Sequence, residues 1–280
     1  MQVFELVKSV LDENYAKIAG VPTERDDRIC QRITELQEAY SALASENEIT
    51  YNEPSIRFAY IYKYVTSHVN IVYQKICSNM TLRSLFQLPQ VTVSCIGGGP
   101  GSDLVGILKF VSGKDDAKPK LRCFILDGEN SWADAWSDVD EKLDSNFNIS
   151  TYFIPMDVTD NSAWSQQSKY LNADLFTMIY FASEIFSKRE QAKPFFEHLF
   201  ANMKPGGLLL YIDNNARCFT EWFDALVKAA GLEVLEAEEE NVKMTIDEEK
   251  TELGEYLAKF SAVKLEANVA IRICRKPNQS

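Results

Sequence analysis

The segment from Val91 to Asp103, VTVSCIGGGPGSD, constrains the fold of this chain more than any other. A short apolar run leads into a cluster of glycines, and the residues that follow, LVGILKF, are typical of a helix. Backbone N–H groups at the start of a helix are unpaired, and glycines let a polar ligand approach the main chain closely. The pattern therefore predicts a nucleotide site at a strand-to-helix turn.

The spacing of the glycines distinguishes two kinds of nucleotide site. Gly97, Gly99 and Gly101 form the pattern GxGxG. The dinucleotide fingerprint GxGxxG would need a glycine or alanine where this chain has Ser102. An apolar strand followed by GxGxG resembles the first motif of the class I S-adenosylmethionine-dependent methyltransferases. The resemblance implies S-adenosyl-L-methionine as the cofactor, bound by the backbone of these three glycines and of Gly98.

One position departs from that first motif. Members of the family commonly have an acidic residue two positions before the glycines, and this chain has Cys95 there. The resemblance implies a contact to the methionine amino group of the cofactor, which we expect Asp103 or a backbone carbonyl to make instead.

Two later apolar runs end in acidic residues, in the order that the family shows. Asp127 ends LRCFILD at the distance from the glycines typical of a carboxylate that accepts hydrogen bonds from ribose hydroxyls, although Glu129 is close enough to do so instead. Asp157 follows ISTYFIPM, and the resemblance implies that it binds the adenine amine, with Met156 and Val158 against the ring. On local sequence alone, Asp157 is nearly as typical of a helix cap.

The fourth apolar run, ADLFTMIYFASEIF, is predicted to end beside the glycine turn, because ligands collect at the carboxyl ends of strands where the strand order changes. The resemblance places Phe181 at the cofactor and Glu184 near the transferred methyl group. Family members that methylate planar amide or adenine nitrogens usually carry [DN]PP[YF] here, and this chain has FASE. Such acceptors are therefore disfavoured.

The later elements also follow the family order. A helix, a Lys-Pro-Gly-Gly turn and a strand are predicted within Phe195–Asn214, and further strands near Leu232–Glu236 and over Asn268–Lys276. The expected fold is α/β, a Rossmann-like, doubly wound, mostly parallel seven-stranded sheet with an antiparallel last strand, plus an N-terminal helical cap. We predict two domains: residues 1–88 as the cap and substrate region, and 89–280 as the S-adenosylmethionine-binding methyltransferase domain.

The N-terminal region is expected to be helical apart from a polar break near Ser45–Pro54. After that break, SIRFAYIYKYVTSHVNIVYQKI places Tyr60, Tyr64 and His68 on one helix face. Helical extensions in the family commonly cover the cofactor, so this face is the predicted wall of the acceptor pocket; the alternative is an ordinary packed helix. We predict Tyr64, His68 and Glu184 as catalytic residues, since an imidazole, a phenol or a carboxylate can serve as the base.

Charge and cysteine content limit the partners. The formal net charge of −12 opposes the phosphate attraction behind non-specific nucleic-acid binding, so bulk RNA or DNA is disfavoured. Much of the excess acid lies in 232–255, which we expect to be a solvated insertion between the last two strands, with a docking or lid element as the alternative. The six scattered cysteines predict neither disulfides nor a zinc site, and methyl transfer requires no metal.

The location expected from the sequence is cytoplasmic or nuclear. No apolar run is long enough to span a membrane, and the first residues lack the apolar core of a secretory signal.

The sequence thus predicts an S-adenosylmethionine-dependent methyltransferase that acts on a nitrogen or oxygen of a small molecule. Three alternatives stay open. They are a methyltransferase acting on protein or RNA, a sensor that binds the cofactor without catalysis, and a nicotinamide-dependent oxidoreductase, which Ser102 disfavours.

Overall fold

A seven-stranded sheet lies at the centre of the computed structural model, which describes residues 1–43, 49–114, 118–143, 147–244 and 250–278. The strands are β1 (Gln90–Ile96), β2 (Lys120–Asp127), β3 (Ile149–Pro155), β4 (Leu175–Ile179), β5 (Leu208–Asn214), β6 (Glu233–Lys243) and β7 (Glu266–Arg275). Their order is β3-β2-β1-β4-β5-β7-β6, and β7 runs antiparallel to both β5 and β6. The predicted doubly wound sheet with an antiparallel last strand is confirmed.

Helices flank the sheet and fill the N-terminal region. The α-helices are α1 (Val3–Lys17), α2 (Pro22–Ser41), α3 (Pro54–Tyr60), α4 (Thr66–Ser78), α5 (Met80–Leu85), α6 (Ser102–Ser112), α7 (Trp132–Lys142), α8 (Asn161–Trp164), α9 (Phe181–Glu184), α10 (Arg189–Asn202), α11 (Arg217–Ala229) and α12 (Glu255–Lys259). Short 3₁₀ turns cover Lys169–Asn172, Phe186–Lys188 and Lys250–Leu253. Within the described ranges, no helix is both long and apolar enough to cross a membrane.

The aromatic segment after the polar break is one continuous helical run. A π-helical turn, Ile61–Val65, joins α3 to α4 without interruption. Such turns are rare and are frequent near functional sites. The helical N-terminal region is confirmed for the described residues. Residues 45–48 of the predicted break lie outside them.

The parallel strands bury both faces, because helices cover the sheet on each side. Along β2, Cys123 and Ile125 belong to one apolar core, and Phe124 and Leu126 belong to a second core on the opposite face. The alternation is that of a strand, in which successive side chains point to opposite faces. The first core also contains the apolar residues of α1 to α4, so the N-terminal helices and the sheet share it.

The predicted boundary between residues 88 and 89 falls between α5 and β1, and the division into two domains stays a prediction.

The acidic run is more structured than predicted. β6 extends eleven residues along the edge of the sheet, through most of the glutamates that we expected in a solvated insertion. Lys75 of α4 pairs with Glu236 and, at 2.5 Å, with Glu238, and charges of this kind protect an exposed strand edge from pairing with other chains. Just beyond the run, the Tyr256 hydroxyl donates to Asp12 of α1 at 2.8 Å. Glu233–Lys243 is therefore part of the sheet and not an insertion, although most of its side chains are exposed, and residues 245–249 of the run lie outside the described residues.

One close contact joins the N-terminal helices to the sheet. Helix α4 packs against α6 at Gly106, where an added Cβ would lie 2.7 Å from the carbonyl oxygen of Val69 and 2.9 Å from the Cβ of Val72. Only a residue without a side chain fits there, so the position of α4 depends on Gly106.

We expect Gly106→Ala to lower the free energy of unfolding by about 1–2 kcal/mol, because the cost of overpacking exceeds the gain in helix propensity. Gly113→Ala is the matched control. Gly113 ends the same helix at an ordinary φ of −81°, and its added Cβ would have no neighbour within 3.7 Å. Urea unfolding measures both variants; equal stability of Gly106→Ala and the unmodified chain would contradict the packing of α4 on α6.

Candidate active site

The turn between β1 and α6 is shaped by glycines in the left-handed region. Gly97 has φ +66° and Gly99 has φ +49°. A Cβ on Gly97 would lie 2.0 Å from the ring of Phe181, whereas a Cβ on Gly99 would have no neighbour closer than 3.9 Å. Gly97 therefore lets Phe181 pack against the turn, and Gly99 presents open backbone.

A cleft of about 270 Å³ opens at this turn, at the carboxyl ends of β1 to β4. Ligands of doubly wound sheets bind at this location. The predicted residues that line it are Gly97, Gly99, Asp127, Met156, Asp157, Val158, Phe181 and Glu184.

The carboxylate of Asp127 is fixed to the glycine turn. Its Oδ2 accepts a hydrogen bond from the N–H of Gly99 at 2.9 Å, and its Oδ1 accepts one from the N–H of Glu129 at 2.9 Å. Burial raises the pKa of Asp127 to about 6, although the two backbone bonds oppose the shift. The Gly99 N–H that could hold a dinucleotide phosphate is thus already bonded to a carboxylate, which would also repel the phosphate.

The third predicted segment provides apolar walls and an acceptor. Met156 and Val158 are buried and line the cleft, and the N–H of Met156 donates to the carbonyl oxygen of Asp127 at 2.7 Å. Oδ1 of Asp157 accepts from the N–H and the hydroxyl of Thr159, at 2.8 and 2.7 Å. Asp157 therefore closes its own turn and also lines the cleft, whereas the cap of the following helix α8 is Asp160, which accepts from the N–H of Ser162.

Glu184 lies under the N-terminal helices. The hydroxyl of Tyr40 donates to its Oε1 at 2.5 Å, and the hydroxyl of Tyr51 donates to the same oxygen at 3.2 Å. Burial raises the pKa of Glu184 to about 7, and the negative charge of Asp127 acts in the same direction. A carboxylate with such a pKa can accept a proton near neutral pH.

Three aromatic rings stand together on the cleft wall. The ring centroids of Tyr51, Tyr60 and Trp132 lie 5.1 to 5.4 Å from one another. No motif or helical period in the sequence marks Tyr40, Tyr51 or Trp132 as site residues. These residues come from three separate parts of the chain, so their proximity can be seen only in the folded structure.

Tyr64 and His68 do not reach the cleft. They share a face with Tyr60, as predicted, and Nδ1 of His68 lies 3.4 Å from the Tyr60 hydroxyl. Both are buried one layer behind the wall. Burial, together with the nearby charge of Lys264, lowers the pKa of His68 well below its usual value of 6.5, so the imidazole is neutral at pH 7. The geometry does not support their predicted role as groups that touch the acceptor.

Gly98, Gly101 and Asp103 are also absent from the lining of the cleft. Gly98 and Gly101 give room to buried neighbours: an added Cβ would lie 2.9 Å from Cys95 and 2.3 Å from Trp136, respectively. Asp103 is 1% exposed, and its carboxylate accepts hydrogen bonds from the Thr177 hydroxyl and from the backbone N–H of Leu104. These contacts turn it away from the cleft, so the geometry does not support the predicted bond to the methionine amine.

The charge of the cleft is negative. Among the described residues, its lining includes four carboxylates, those of Asp127, Glu129, Asp157 and Glu184, and one ammonium group, that of Lys188. Such a lining favours cationic ligands and disfavours phosphates.

Comparison with known proteins gives matches to solved structures. An O-methyltransferase family protein from Burkholderia thailandensis is 15% identical, with a TM-score of 0.52 over 91% of this chain and 73% of that one. A SAM-dependent methyltransferase from Methanosarcina mazei is 9% identical, with a TM-score of 0.47 over 71% and 98%. The N-methyltransferase NodS from Bradyrhizobium japonicum is 13% identical, with a TM-score of 0.40 over 74% and 97%. No family model and no curated protein matches the chain.

The first of these likenesses, together with the strand order, identifies the fold. It is the fold of the class I S-adenosylmethionine-dependent methyltransferases, as the glycine motif and the succession of strands predicted.

The raised pKa of Glu184 predicts a pH-dependent stability. The unfolded chain gives up this proton near pH 4.5 and the folded chain near pH 7, so ionisation lowers the free energy of unfolding as the pH rises between these values. We expect Glu184→Gln to be about 1–2 kcal/mol more stable, relative to the unmodified chain, at pH 8 than at pH 5. Unfolding in urea at both values measures this difference. The exposed Glu190→Gln serves as the control, and a stability difference for Glu184→Gln that is the same at both pH values would contradict the assignment.

Proposed function

We propose that this chain is an S-adenosylmethionine-dependent methyltransferase that acts on a nitrogen or oxygen of a small-molecule acceptor. The observation that carries the proposal is the presence of two carboxylates in one cleft, Asp127 fixed beside the glycine turn and Glu184 beneath the N-terminal tyrosines. The first is suited to hold a nucleoside, and the second to accept a proton.

The lining fits the proposed cofactor. Asp127 is an acceptor for ribose hydroxyls, Met156 and Val158 offer apolar surface to adenine, and Asp157 is an acceptor for its amine. The open backbone at Gly99 leaves room for the ligand beside the turn. The negative lining suits a sulfonium cation, whereas it opposes the two phosphates of a nicotinamide dinucleotide.

The cofactor, when bound, supplies a methyl group on positively charged sulfur that an acceptor can displace in line. The chain's part is to orient the acceptor and to remove its proton. Glu184 accepts that proton, and the Tyr40 hydroxyl stabilises the carboxylate before transfer. Tyr51 and Tyr60 position the acceptor and exclude water from the cleft.

The enclosure of Glu184 supports a small acceptor. Tyr40 and Tyr51 bond to it from the N-terminal side, and the cleft measures about 270 Å³. A protein or RNA acceptor would have to extend a side chain or base past these tyrosines. Labelled methyl transfer to a small-molecule panel, compared with transfer to bulk protein and RNA, tests this part of the proposal.

Asp127→Asn is expected to weaken binding of S-adenosylhomocysteine by about 10- to 100-fold, the usual scale for losing a hydrogen bond to a charged group. The matched control is Asp213→Asn. Asp213 is likewise buried at a strand end and accepts from two backbone N–H groups, those of Ser183 and Asn214, at 2.9 and 2.7 Å, but it does not line the cleft. Isothermal titration measures both. Equal losses in the two variants would remove Asp127 from the ribose site.

Gly99→Val is expected to abolish S-adenosylhomocysteine binding, because the side chain would fill the open space at the turn and strain its backbone. Gly231→Val reproduces the strain elsewhere: Gly231 has φ +65°, and an added Cβ would have no neighbour within 4 Å. We expect both variants to fold by circular dichroism and only Gly231→Val to bind. Wild-type affinity in Gly99→Val would show that the ligand does not use this turn.

A further inference from the structure

Glu184 and three aromatic side chains line one corner of the cleft, and a fourth, that of Tyr40, bonds to Glu184. We call the group of Glu184, Tyr40, Tyr51, Tyr60 and Trp132 the acceptor corner. Tyr40 approaches from α2, Tyr51 from the segment before α3, Tyr60 from the end of α3, Trp132 from the start of α7, and Glu184 from α9.

We propose that the acceptor is a primary or secondary amine, bound as an ammonium ion at the acceptor corner between Glu184 and the rings of Tyr51, Tyr60 and Trp132. This inference rests on the proposed function and narrows it from nitrogen or oxygen to an aliphatic nitrogen.

The hydrogen bonds of Glu184 leave one of its oxygens available. Both tyrosine hydroxyls donate to Oε1. Within the part of the chain that the structure describes, Oε2 receives no hydrogen bond, although Glu184 lines the cleft. A carboxylate in such a position is an acceptor that needs a donor, and an ammonium group has donors and no acceptor. A charge-assisted hydrogen bond from an ammonium to Oε2 would complete the site.

The aromatic rings favour the same ligand. Cations bind over the faces of tyrosine and tryptophan, worth about 0.5–1 kcal/mol at exposed sites and about 2 kcal/mol when water is excluded. The centroids of Tyr51, Tyr60 and Trp132 lie 5.1 to 5.4 Å from one another on the lining of the cleft, and the Tyr51 hydroxyl donates to Glu184 at 3.2 Å. A neutral hydroxyl acceptor would gain neither this attraction nor an ion pair with Glu184.

The charge balance of the cleft leads to the same conclusion. When all four of its carboxylates are ionised, they exceed its one lysine by three negative charges among the described residues. The proposed cofactor carries one net positive charge, so the cleft keeps an excess of negative charge when it is bound. A cationic acceptor reduces that excess, whereas an acceptor that carries a carboxylate or phosphate would increase it.

The reaction then balances without a further reagent. One N–H proton of the ammonium passes to the carboxylate of Glu184, which leaves a lone pair on nitrogen. That pair forms the new nitrogen–carbon bond to the methyl group of S-adenosylmethionine as the carbon–sulfur bond breaks, and the breaking pair stays on sulfur. The products are a methylated ammonium ion, S-adenosylhomocysteine and protonated Glu184.

Binding to the loaded protein tests the inference apart from activity. Isothermal titration is done on the full chain saturated with S-adenosylhomocysteine, with matched pairs of probes: 2-phenylethylamine and 2-phenylethanol, and butylamine and butanol. We expect at least one amine to bind about tenfold or more tightly than its alcohol. Glu184→Gln should remove that preference, and Asp213→Asn, which changes a buried carboxylate outside the cleft, should retain it.

Each outcome supports or overturns the inference. It is overturned if no amine binds more tightly than its alcohol, or if Glu184→Gln keeps the preference. Labelled methyl transfer to the same probes distinguishes failure of the amine inference from failure of the proposed function. Methylation of alcohols but not amines, in a protein that binds S-adenosylhomocysteine, would overturn the amine inference and leave the proposed function standing. A protein that does not bind S-adenosylhomocysteine would overturn both.

Discussion

The hydrogen bond from the N–H of Gly99 to the carboxylate of Asp127 is the interaction on which the rest of the cleft depends. It joins the end of β2 to the turn after β1, and the same carboxylate also holds the N–H of Glu129. A charged group accepting two backbone bonds fixes the shape of the turn before any ligand arrives. It also makes the charge at this part of the cleft negative. A buried carboxylate at this point opposes phosphate and favours a nucleoside with hydroxyl donors.

The N-terminal helices add side chains to the cleft that the sheet forms. Their apolar residues share a core with one face of the sheet, and Gly106 allows α4 to lie directly against α6. From this fixed position the N-terminal region brings Tyr51 and Tyr60 to the cleft and Tyr40 to Glu184. Burial of Glu184 beneath them costs stability near neutral pH, as its raised pKa indicates. Groups that are costly to bury are concentrated at functional sites, which is the pattern found here.

The sequence predicted the features that depend on the order of strands and motifs along the chain. Each parallel strand ends in a short segment at the same edge of the sheet, so the acids after the second and third apolar runs had to lie near the glycine turn. Glu184 was found by the same reasoning. Tyr40 and Tyr51 were not, because their partner lies more than 130 residues away in the chain. Contacts of that range leave no periodic signal in a single sequence.

The expectations that the geometry does not support have a common physical origin. Asp103 and His68 carry suitable chemistry, but burial turns them toward Thr177 and Tyr60 instead of the cleft. Likewise the glutamates of β6 suggested a solvated insertion, whereas an edge strand tolerates exposed charge along its length. The chemistry of each residue type can be recognised in the sequence. Its burial cannot, because burial depends on the packing of distant elements.

The most direct test of the account is isothermal titration of the unmodified protein with S-adenosylmethionine, S-adenosylhomocysteine and NAD in parallel. We expect both sulfur nucleosides to bind, with an affinity that falls as Asp127 is protonated near pH 6, and NAD not to bind. Absence of binding by either sulfur nucleoside, or binding of NAD in their place, would contradict it.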